Sequence, residues 1–320
     1  MIYDLIVSIF LVFFASLLFV NAIEFIGFKL NFSKSFVGTI VSPLFTSFPE
    51  LIIFFIAIFQ IGSFSGSQEA IGTIFGETFM SSSLSYTLVF LSILAGGIIL
   101  KKFRKNINVD RNLFIPYLFI SLLFPFTLLP YFLPFTSIFV GLIFIASYVV
   151  YFYIIFKREE AEMFEYTEKP FFSIYLGKKL GPVLQILLSI ILIYIGSRML
   201  LSSLLDFSSN FHLSLLAISI ILIPTATAIP ETITAMIWGF KGKDTLSISS
   251  LVGEKILYST IYPGMALLLI PWNLDIYVFL SVFATTLVSI LYSIFIFRRK
   301  FSVYYLTIGF IFFIIYIILI

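Results

Sequence analysis

The chain has 320 residues, of which 61% are hydrophobic and only 11% are charged, with a net charge of +3 and a mean hydropathy of +1.15. Soluble domains carry about 45–50% apolar and about 25% charged residues, so this composition excludes a water-soluble globular protein. The sequence contains no cysteine, which excludes disulfides, thiolate metal sites and thiol catalysis. We therefore expect an all-α polytopic membrane protein with short loops.

Ten apolar segments follow one another along the chain, each long enough to supply about 20 residues, the length that a membrane helix needs, and the third is longer. They cover residues 2–23, 35–60, 68–99, 112–129, 132–156, 183–205, 213–238, 245–270, 275–296 and 302–320. The first segment has no basic residues before it, so we interpret it as a retained span rather than a cleavable signal peptide. The pattern predicts ten transmembrane helices.

The basic residues are distributed asymmetrically between the predicted loops. Nearly all of the 19 lysines and arginines fall in alternate loops, at 29–34, 101–111, 157–179, 241–243 and 298–300. Cytoplasmic loops of membrane proteins collect Lys and Arg. The pattern predicts a multi-pass protein of the cell membrane with its odd-numbered loops in the cytoplasm and both termini outside.

The longest hydrophilic stretch divides the chain into two sets of five predicted spans. It covers residues 157–182, between a first set in 1–156 and a second set in 183–320. We interpret this stretch as a cytoplasmic linker, because a solvated connection is the commoner explanation for a segment of this length. Since five is odd, the second set enters the membrane in the opposite orientation to the first.

Two polar motifs occur once in each half and in the same order. Residues Pro43–Glu50 and Pro224–Glu231 both read P-x-x-T-x-x-P-E, and residues Ile71–Glu77 and Ile248–Glu254 both end in Gly-Glu. These matches predict two inverted five-helix repeats. Transporters built from inverted repeats with Pro- or Gly-interrupted helices bind their substrates near the bilayer midplane.

The prolines of the first motif predict broken helices at the centre of the protein. A proline inside a helix removes a backbone hydrogen bond, and the freed carbonyls are tolerated in a membrane only where they line a protected cavity. Pro49 and Pro230 suit the first turn of a new half-helix. Glu50 and Glu231 follow directly, near the positive end of the helix dipole, where an ionised carboxylate is favoured.

Each motif also places a hydroxyl four residues before a glutamate, and residues four apart share a helix face. The pairs are Thr46–Glu50, Thr73–Glu77, Thr227–Glu231 and Ser250–Glu254. Carboxylates, hydroxyls and freed carbonyls together form an all-oxygen site that suits a hard cation. Calcium takes 6–8 oxygens in flexible geometry, whereas magnesium demands a tighter octahedron.

At these residues the sequence resembles the sodium/calcium exchanger family of the cation/calcium antiporter superfamily. That family has two inverted repeats in ten helices, with signatures similar to G-T-S-x-P-E and G-N-x-x-G-S-N. The resemblance implies that Glu50 and Glu231 are essential and that Thr46, Thr227 and Ser47 are ligands. Ala228 replaces the serine ligand in the second repeat.

The second signature departs from the family at its ligand positions. Glu77 and Glu254 stand where the family has a serine, while Ser81 and Tyr258 replace an asparagine or aspartate four residues further on. The additional carboxylates make Glu77 and Glu254 candidate proton carriers, so the counter-ion is left open between sodium and protons.

Other polar residues in or near the spans receive simpler interpretations. Lys255 lies inside a predicted span, and it either neutralises a glutamate or acts as a tethered cation in place of a transported ion. The serines 81–83 either line the pathway or bond to backbone carbonyls. Glu24, Glu69 and Asp244 lie near helix ends, where we expect solvated caps.

The function predicted from these features is antiport of calcium against sodium or protons, by alternating access at a central carboxylate site. The metal-ligand candidates are Glu50, Glu231, Glu77, Glu254, Thr46, Thr227, Ser47, Thr73 and Ser250, with Lys255 as a charge-tuning residue. We expect no cofactor, no nucleic-acid partner, and function as a monomer in the lipid bilayer.

Alternatives to this predicted function are a proton-coupled exchanger of another divalent ion such as magnesium, an intramembrane enzyme, and a non-transporting membrane scaffold. No catalytic motif supports the enzyme, and a scaffold does not explain carboxylates duplicated in both halves.

Overall fold

A computed structural model describes residues 2–29, 43–44, 47–101, 103–157 and 169–320. Thr46 and residues 158–168 of the predicted linker lie outside these ranges, and so do the side chains of Glu24 and Glu231. Within the described ranges the chain is helical, and the only β-type pairing is the isolated bridge between Asn106 and Ser302. The predicted all-α class is confirmed.

The helices of the N-terminal half begin with a long first span and continue through several interrupted segments. Their bounds are α1 Ile2–Lys29, α2 Phe48–Ile56, α3 Ser63–Met80, α4 Tyr86–Ile99, α5 Phe114–Leu123, α6 Leu129–Phe132 and α7 Ser137–Lys157. A π-helical segment, Ala57–Ile61, extends α2, and another, Ser81–Ser85, joins α3 to α4.

The C-terminal half is also helical. Its helices are α8 Ser173–Phe211, α9 Leu215–Phe240, α10 Asp244–Tyr258, α11 Ile261–Leu269, α12 Ile276–Phe297 and α13 Phe310–Leu319. The backbone of α8 is kinked at Gly177, which has φ 77° and lies outside helical geometry.

Several described helical stretches are long and apolar enough to cross a membrane. Six do so by themselves, namely Ile2–Phe19, Phe64–Ile99, Arg111–Phe132, Pro134–Ile155, Leu180–Phe211 and Ile276–Phe297, and the bent helix α9 adds a seventh. Each falls on a predicted span, so the polytopic architecture is confirmed. The number of ten spans remains a prediction.

The predicted helix interruptions lie at the prolines of the repeated motif. Helix α9 bends by 55° between Leu215–Ala228 and Thr232–Phe240, on either side of Pro230. Helix α2 begins at Phe48 with Pro49 in its first turn and Glu50 beside it. A helix begins at this point of the motif in the first half, and a helix bends at the same point in the second half.

Close glycine contacts recur at corresponding places in the two halves. Gly141 of α7 and Gly264 of α11 approach so closely that a Cβ on either one would lie 3.0 or 2.9 Å from the carbonyl oxygen of the other. Near the C-terminus, a Cβ on Gly309 would collide with the carbonyl of Ser82 in the π-helical segment. The fifth predicted span thus packs on the eighth, and the tenth on the third, as an inverted repeat requires.

The first three serines of the π-helical segment, Ser81, Ser82 and Ser83, bond to backbone carbonyls. Ser81 and Ser82 both donate to the carbonyl of Thr78, and Ser83 donates to Phe79 at 2.7 Å. This confirms the second of the two interpretations of the serine cluster. Hydroxyl bonds of this kind compete with the helical ladder and accompany local distortions of a helix.

Asp244 corrects one expectation from the sequence, because it is a buried partner of the opposite half rather than a solvated cap. It is 6% exposed. Its carboxylate accepts hydrogen bonds from Arg104 at 2.6 Å and from the backbone N–H of Asn108 at 3.0 Å. These contacts tie the loop after α4 to the start of α10.

Candidate functional site

Helices α3 and α9 form a long contact between the two halves, and predicted site residues lie on and beside it. Glu50 is in the first turn of α2, Glu77 is near the end of α3, and Glu254 is in α10. Their exposed fractions are 1%, 3% and 7%. A carboxylate buried in a membrane protein is costly, and such residues usually serve binding or transport.

Thr227 connects the two halves at this point. Its hydroxyl lies 2.8 Å from Oε1 of Glu77, to which it donates, and 3.2 Å from the carbonyl of Ile223 in its own helix. The pairing of Thr227 with Glu231 expected from the spacing stays a prediction, because the Glu231 side chain lies outside the described residues. The observed bond crosses from α9 of the second half to α3 of the first.

Glu50 and Glu254 complete the cluster around Thr227. The Glu50 carboxylate interacts with the hydroxyls of Thr227 and Tyr258, and it is within electrostatic range of Glu254. Glu77 is within the same range of both other carboxylates. We call Glu50, Glu77, Glu254 and Thr227 the carboxylate cluster. It draws on four helices and on both halves of the chain.

The carboxylate cluster is open rather than a closed metal cage. Among the described residues, no three acidic or histidine side chains are close enough to enclose a metal ion. One oxygen of Glu50, Oε2, also has no hydrogen-bond partner within the described part of the chain. Since like charges repel, a cation bound between these carboxylates would replace repulsion by coordination and draw them together.

The remaining hydroxyl candidates bond to nearby backbone. Ser47 donates to the carbonyl of Pro43 at 2.7 Å, Thr73 to Glu69 at 2.9 Å, and Ser250 to Ser247 at 3.2 Å. Serine and threonine within helices commonly bond to the carbonyl three or four residues earlier, which turns the hydroxyl away from the following turn. The grouping of Thr73 with Glu77 and of Ser250 with Glu254 in one ion site stays a prediction.

Lys255 lies against aromatic rings. Its Nζ is 5.6 Å from the ring centroid of Tyr86 and 5.8 Å from that of Tyr117, and the residue is 1% exposed. Within the described residues this amine has no hydrogen-bond partner and no ion pair with a glutamate. Neutralisation of a glutamate by direct pairing is thus not observed here.

Glu69 contradicts the expectation of a solvated cap. It is 0% exposed, and neither carboxylate oxygen has a hydrogen-bond partner among the described residues. The reason is that α3 already packs on α9 near this level, where a Cβ on Gly72 would lie 2.4 Å from the Cβ of Ser219. Glu69 lies seven residues before Gly76, which places it on this packed face, and that spacing is the signal that could have predicted its burial.

Helices broken at prolines, with buried carboxylates from both halves meeting between them, define the class of membrane cation transporters. A family model described as "Sodium/calcium exchanger protein" matches residues 2–157 and 181–320, and the chain belongs to this family. The resemblance seen in the sequence motifs is thereby confirmed, and members of the family are transporters rather than enzymes. A comparison with curated proteins finds no match.

The fold is shared with solved exchanger structures. The H+/Ca2+ exchanger CAX is 18% identical with a TM-score of 0.78, covering 99% of this chain and 81% of that one. The sodium-calcium exchanger NCX_Mj, soaked with Na+ and Sr2+, is 18% identical with a TM-score of 0.61 and coverage of 99% and 97%. Native YfkE is 14% identical with a TM-score of 0.67 and coverage of 98% and 89%. At these identities the similarity shows the fold alone.

Proposed function

We propose that the protein exchanges calcium for sodium ions or protons across the membrane, binding calcium at the carboxylate cluster. The observation that carries this proposal is the burial of Glu50, Glu77 and Glu254 within electrostatic range of one another. The Thr227 hydroxyl of the second half bonds to Glu77 of the first at the same place. Membership of the sodium/calcium exchanger family supports it. Calcium and the counter-ion are substrates of the transport cycle, and no resident cofactor is needed.

The chemistry of the cluster favours a hard divalent cation. Its donors are carboxylate and hydroxyl oxygens, and calcium accepts 6–8 such oxygens without strict geometry. We propose that Glu50, Glu77, Glu254 and Thr227 bind the ion directly. Glu231 and Thr46 would complete the shell by the symmetry of the motif, while Ser47, Thr73 and Ser250 would join after turning from their backbone partners.

The position of the cluster between the halves suits alternating access. Because the ligands belong to both repeats, movement of one repeat against the other would open the site to one side of the membrane at a time. We propose that residues 1–156 and 183–320 form these repeats, with 157–182 as a cytoplasmic linker and both termini outside. The chain holds ligands from both repeats, so a monomer would be sufficient.

The proposal is tested by calcium uptake into proteoliposomes under two separate gradients. One set of vesicles carries an outward sodium gradient at equal pH, and the other an outward proton gradient without sodium. We expect one gradient to drive uptake well above that of protein-free vesicles, which identifies the counter-ion. Uptake that neither gradient increases would contradict calcium antiport. Uptake of magnesium in preference to calcium would contradict the assignment of calcium as the substrate.

Thr227→Val is expected to reduce calcium uptake by about tenfold to a hundredfold, the range found when groups that orient metal ligands are removed. The change deletes the hydroxyl that holds Glu77 while keeping a side chain of nearly the same size. Thr225→Val is the matched control, because the Thr225 hydroxyl donates to Ile221 at 2.6 Å within the same helix. Equal losses in the two variants would show that helix packing, and not the bond to Glu77, explains the effect.

A further inference from the structure

Two buried tyrosines of the second half lie against the start of α2, the helix that carries Glu50. Tyr258 is the last residue of α10 and Tyr262 lies in the first turn of α11, with a break in the helix at Thr260, where φ is −138° and ψ is −78°. Across this break the two rings stack, with centroids 4.3 Å apart and an angle of 18° between their planes. We call Tyr258 and Tyr262 the tyrosine pair.

Tyr262 binds the backbone at the beginning of α2. Its hydroxyl donates to the carbonyl of Ser47 at 2.8 Å, and the same carbonyl accepts the N–H of Leu51 at 3.1 Å. Ser47 is the N-cap of α2, and its side chain makes no capping bond there. The bond from Tyr262 therefore fixes the first peptide of this helix from a residue 215 positions away in the chain.

Two further contacts lie on the same face of α2. The hydroxyl of Tyr258 interacts with the Glu50 carboxylate, and the ring of Tyr262 meets the ring of Phe54 edge-on, with centroids 6.0 Å apart. Positions 47, 50 and 54 follow one another by three and four residues, which places them on one face of a helix. The tyrosine pair thus holds α2 at three successive points, and Glu50 is the middle one.

Contacts of this kind restrict the direction in which a carboxylate points. Aromatic rings packed against each other hold a preferred geometry, and a buried tyrosine hydroxyl usually finds a hydrogen-bond partner that fixes its position. A binding group that is already held in place loses less freedom when it takes up its partner, so it binds more tightly.

We propose that the tyrosine pair positions Glu50 for calcium, with Tyr262 as the residue that joins the pair to the start of α2. This inference rests on the proposed function, in which Glu50 binds the ion directly. Tyr262 is a positioning residue rather than a ligand, because it acts through the Ser47 carbonyl and through the ring of Tyr258.

The test is the calcium dependence of uptake by Tyr262→Phe, which removes the hydroxyl and keeps the stacked ring. Uptake into proteoliposomes is measured over a range of calcium concentrations, under the gradient that drives the wild type. We expect the calcium KM to rise by about tenfold, the lower end of the range for groups that orient metal ligands, while the maximal rate changes much less. Tyr258→Phe, which removes the hydroxyl that interacts with Glu50, should raise the calcium KM in the same way.

Tyr316→Phe is the matched control. The Tyr316 hydroxyl is also buried and also donates to a backbone carbonyl of another helix, that of Ala217 at 3.0 Å, in the first turn of α9. Each of the two changes deletes one buried hydrogen bond of this type, so both should lower the thermal unfolding midpoint in detergent to a similar extent. Only Tyr262→Phe should raise the calcium KM.

The outcomes distinguish this inference from the proposed function. An unchanged calcium KM in Tyr262→Phe or in Tyr258→Phe would overturn the positioning role of the pair. An equal rise in Tyr316→Phe would overturn it as well, because the loss of any buried bond would then have the same effect. A wild-type protein without calcium uptake under either gradient would instead contradict the proposed function itself.

Discussion

Glu50→Gln is expected to reduce calcium uptake by at least about a hundredfold. Mutation of groups that only orient metal ligands lowers metal affinity or activity by about tenfold to a hundredfold, and Glu50 is proposed to bind the ion directly. The amide removes one negative charge from the carboxylate cluster and replaces an acceptor oxygen by a donor. Glu50 also has an oxygen without a hydrogen-bond partner among the described residues, so it is ready to accept a cation. Uptake is measured in proteoliposomes, and binding is checked by the thermal stabilisation that calcium gives to the purified protein.

Glu69→Gln is the matched control for this experiment. Glu69 is buried like Glu50, but the electrostatic interactions that join Glu50, Glu77 and Glu254 do not include it. The same chemical change should therefore leave calcium uptake close to that of the wild type. Uptake by Glu50→Gln at the wild-type rate, or an equal loss in Glu69→Gln, would contradict the assignment of the cluster.

Gly76→Ala is expected to lower both the stability of the protein and its calcium uptake. A Cβ at position 76 would lie 2.6 Å from the carbonyl oxygen of Ile220 and 2.6 Å from Cγ of Pro224. A backbone carbonyl and a proline ring cannot turn aside, so α3 would have to move from α9. Overpacking of this kind costs about 1–3 kcal/mol, and the movement would also separate Glu77 from Thr227.

Gly239→Ala provides the comparison for Gly76→Ala. Its Cβ would meet only side-chain atoms, at 3.1 Å from Ser92, 3.2 Å from Ile93 and 3.3 Å from Ser247. Replacing glycine by alanine within a helix stabilises the helix by about 0.5–1 kcal/mol in both variants. The difference between their thermal unfolding midpoints in detergent therefore measures the effect of the close contact at position 76. A Gly76→Ala protein as stable and active as Gly239→Ala would show that α3 and α9 tolerate separation.

The fold could be predicted from the sequence because the decisive features are local. The length of an apolar segment predicts a membrane span without knowledge of the neighbouring helices. A proline such as Pro230 interrupts a helix whatever that helix packs against. The repeated motif then identified the two places where broken helices carry glutamates. Glu50 and Glu77 could be found for the same reason, since each stands in a recognisable motif.

The contacts inside the site could not be predicted, because they depend on how separate helices meet. The bond from Thr227 to Glu77 joins residues 150 positions apart, and spacing along one helix suggested a different partner. Lys255 lies against the rings of Tyr86 and Tyr117, and neither tyrosine belongs to the repeated motifs. Glu69 was expected in solvent because only its position near a helix end was considered, and not its seven-residue spacing from Gly76 on the packed face of α3.

The bond between Thr227 and Glu77 has a consequence for biogenesis. A ribosome delivers α2 and α3 to the bilayer long before α9 has been synthesised, so the acidic groups of the first half must wait there without the hydroxyl from the second. Glu254 arrives later still, in α10. The first half therefore enters the bilayer with an incomplete ion site, which is completed only when helices of the second half have been inserted.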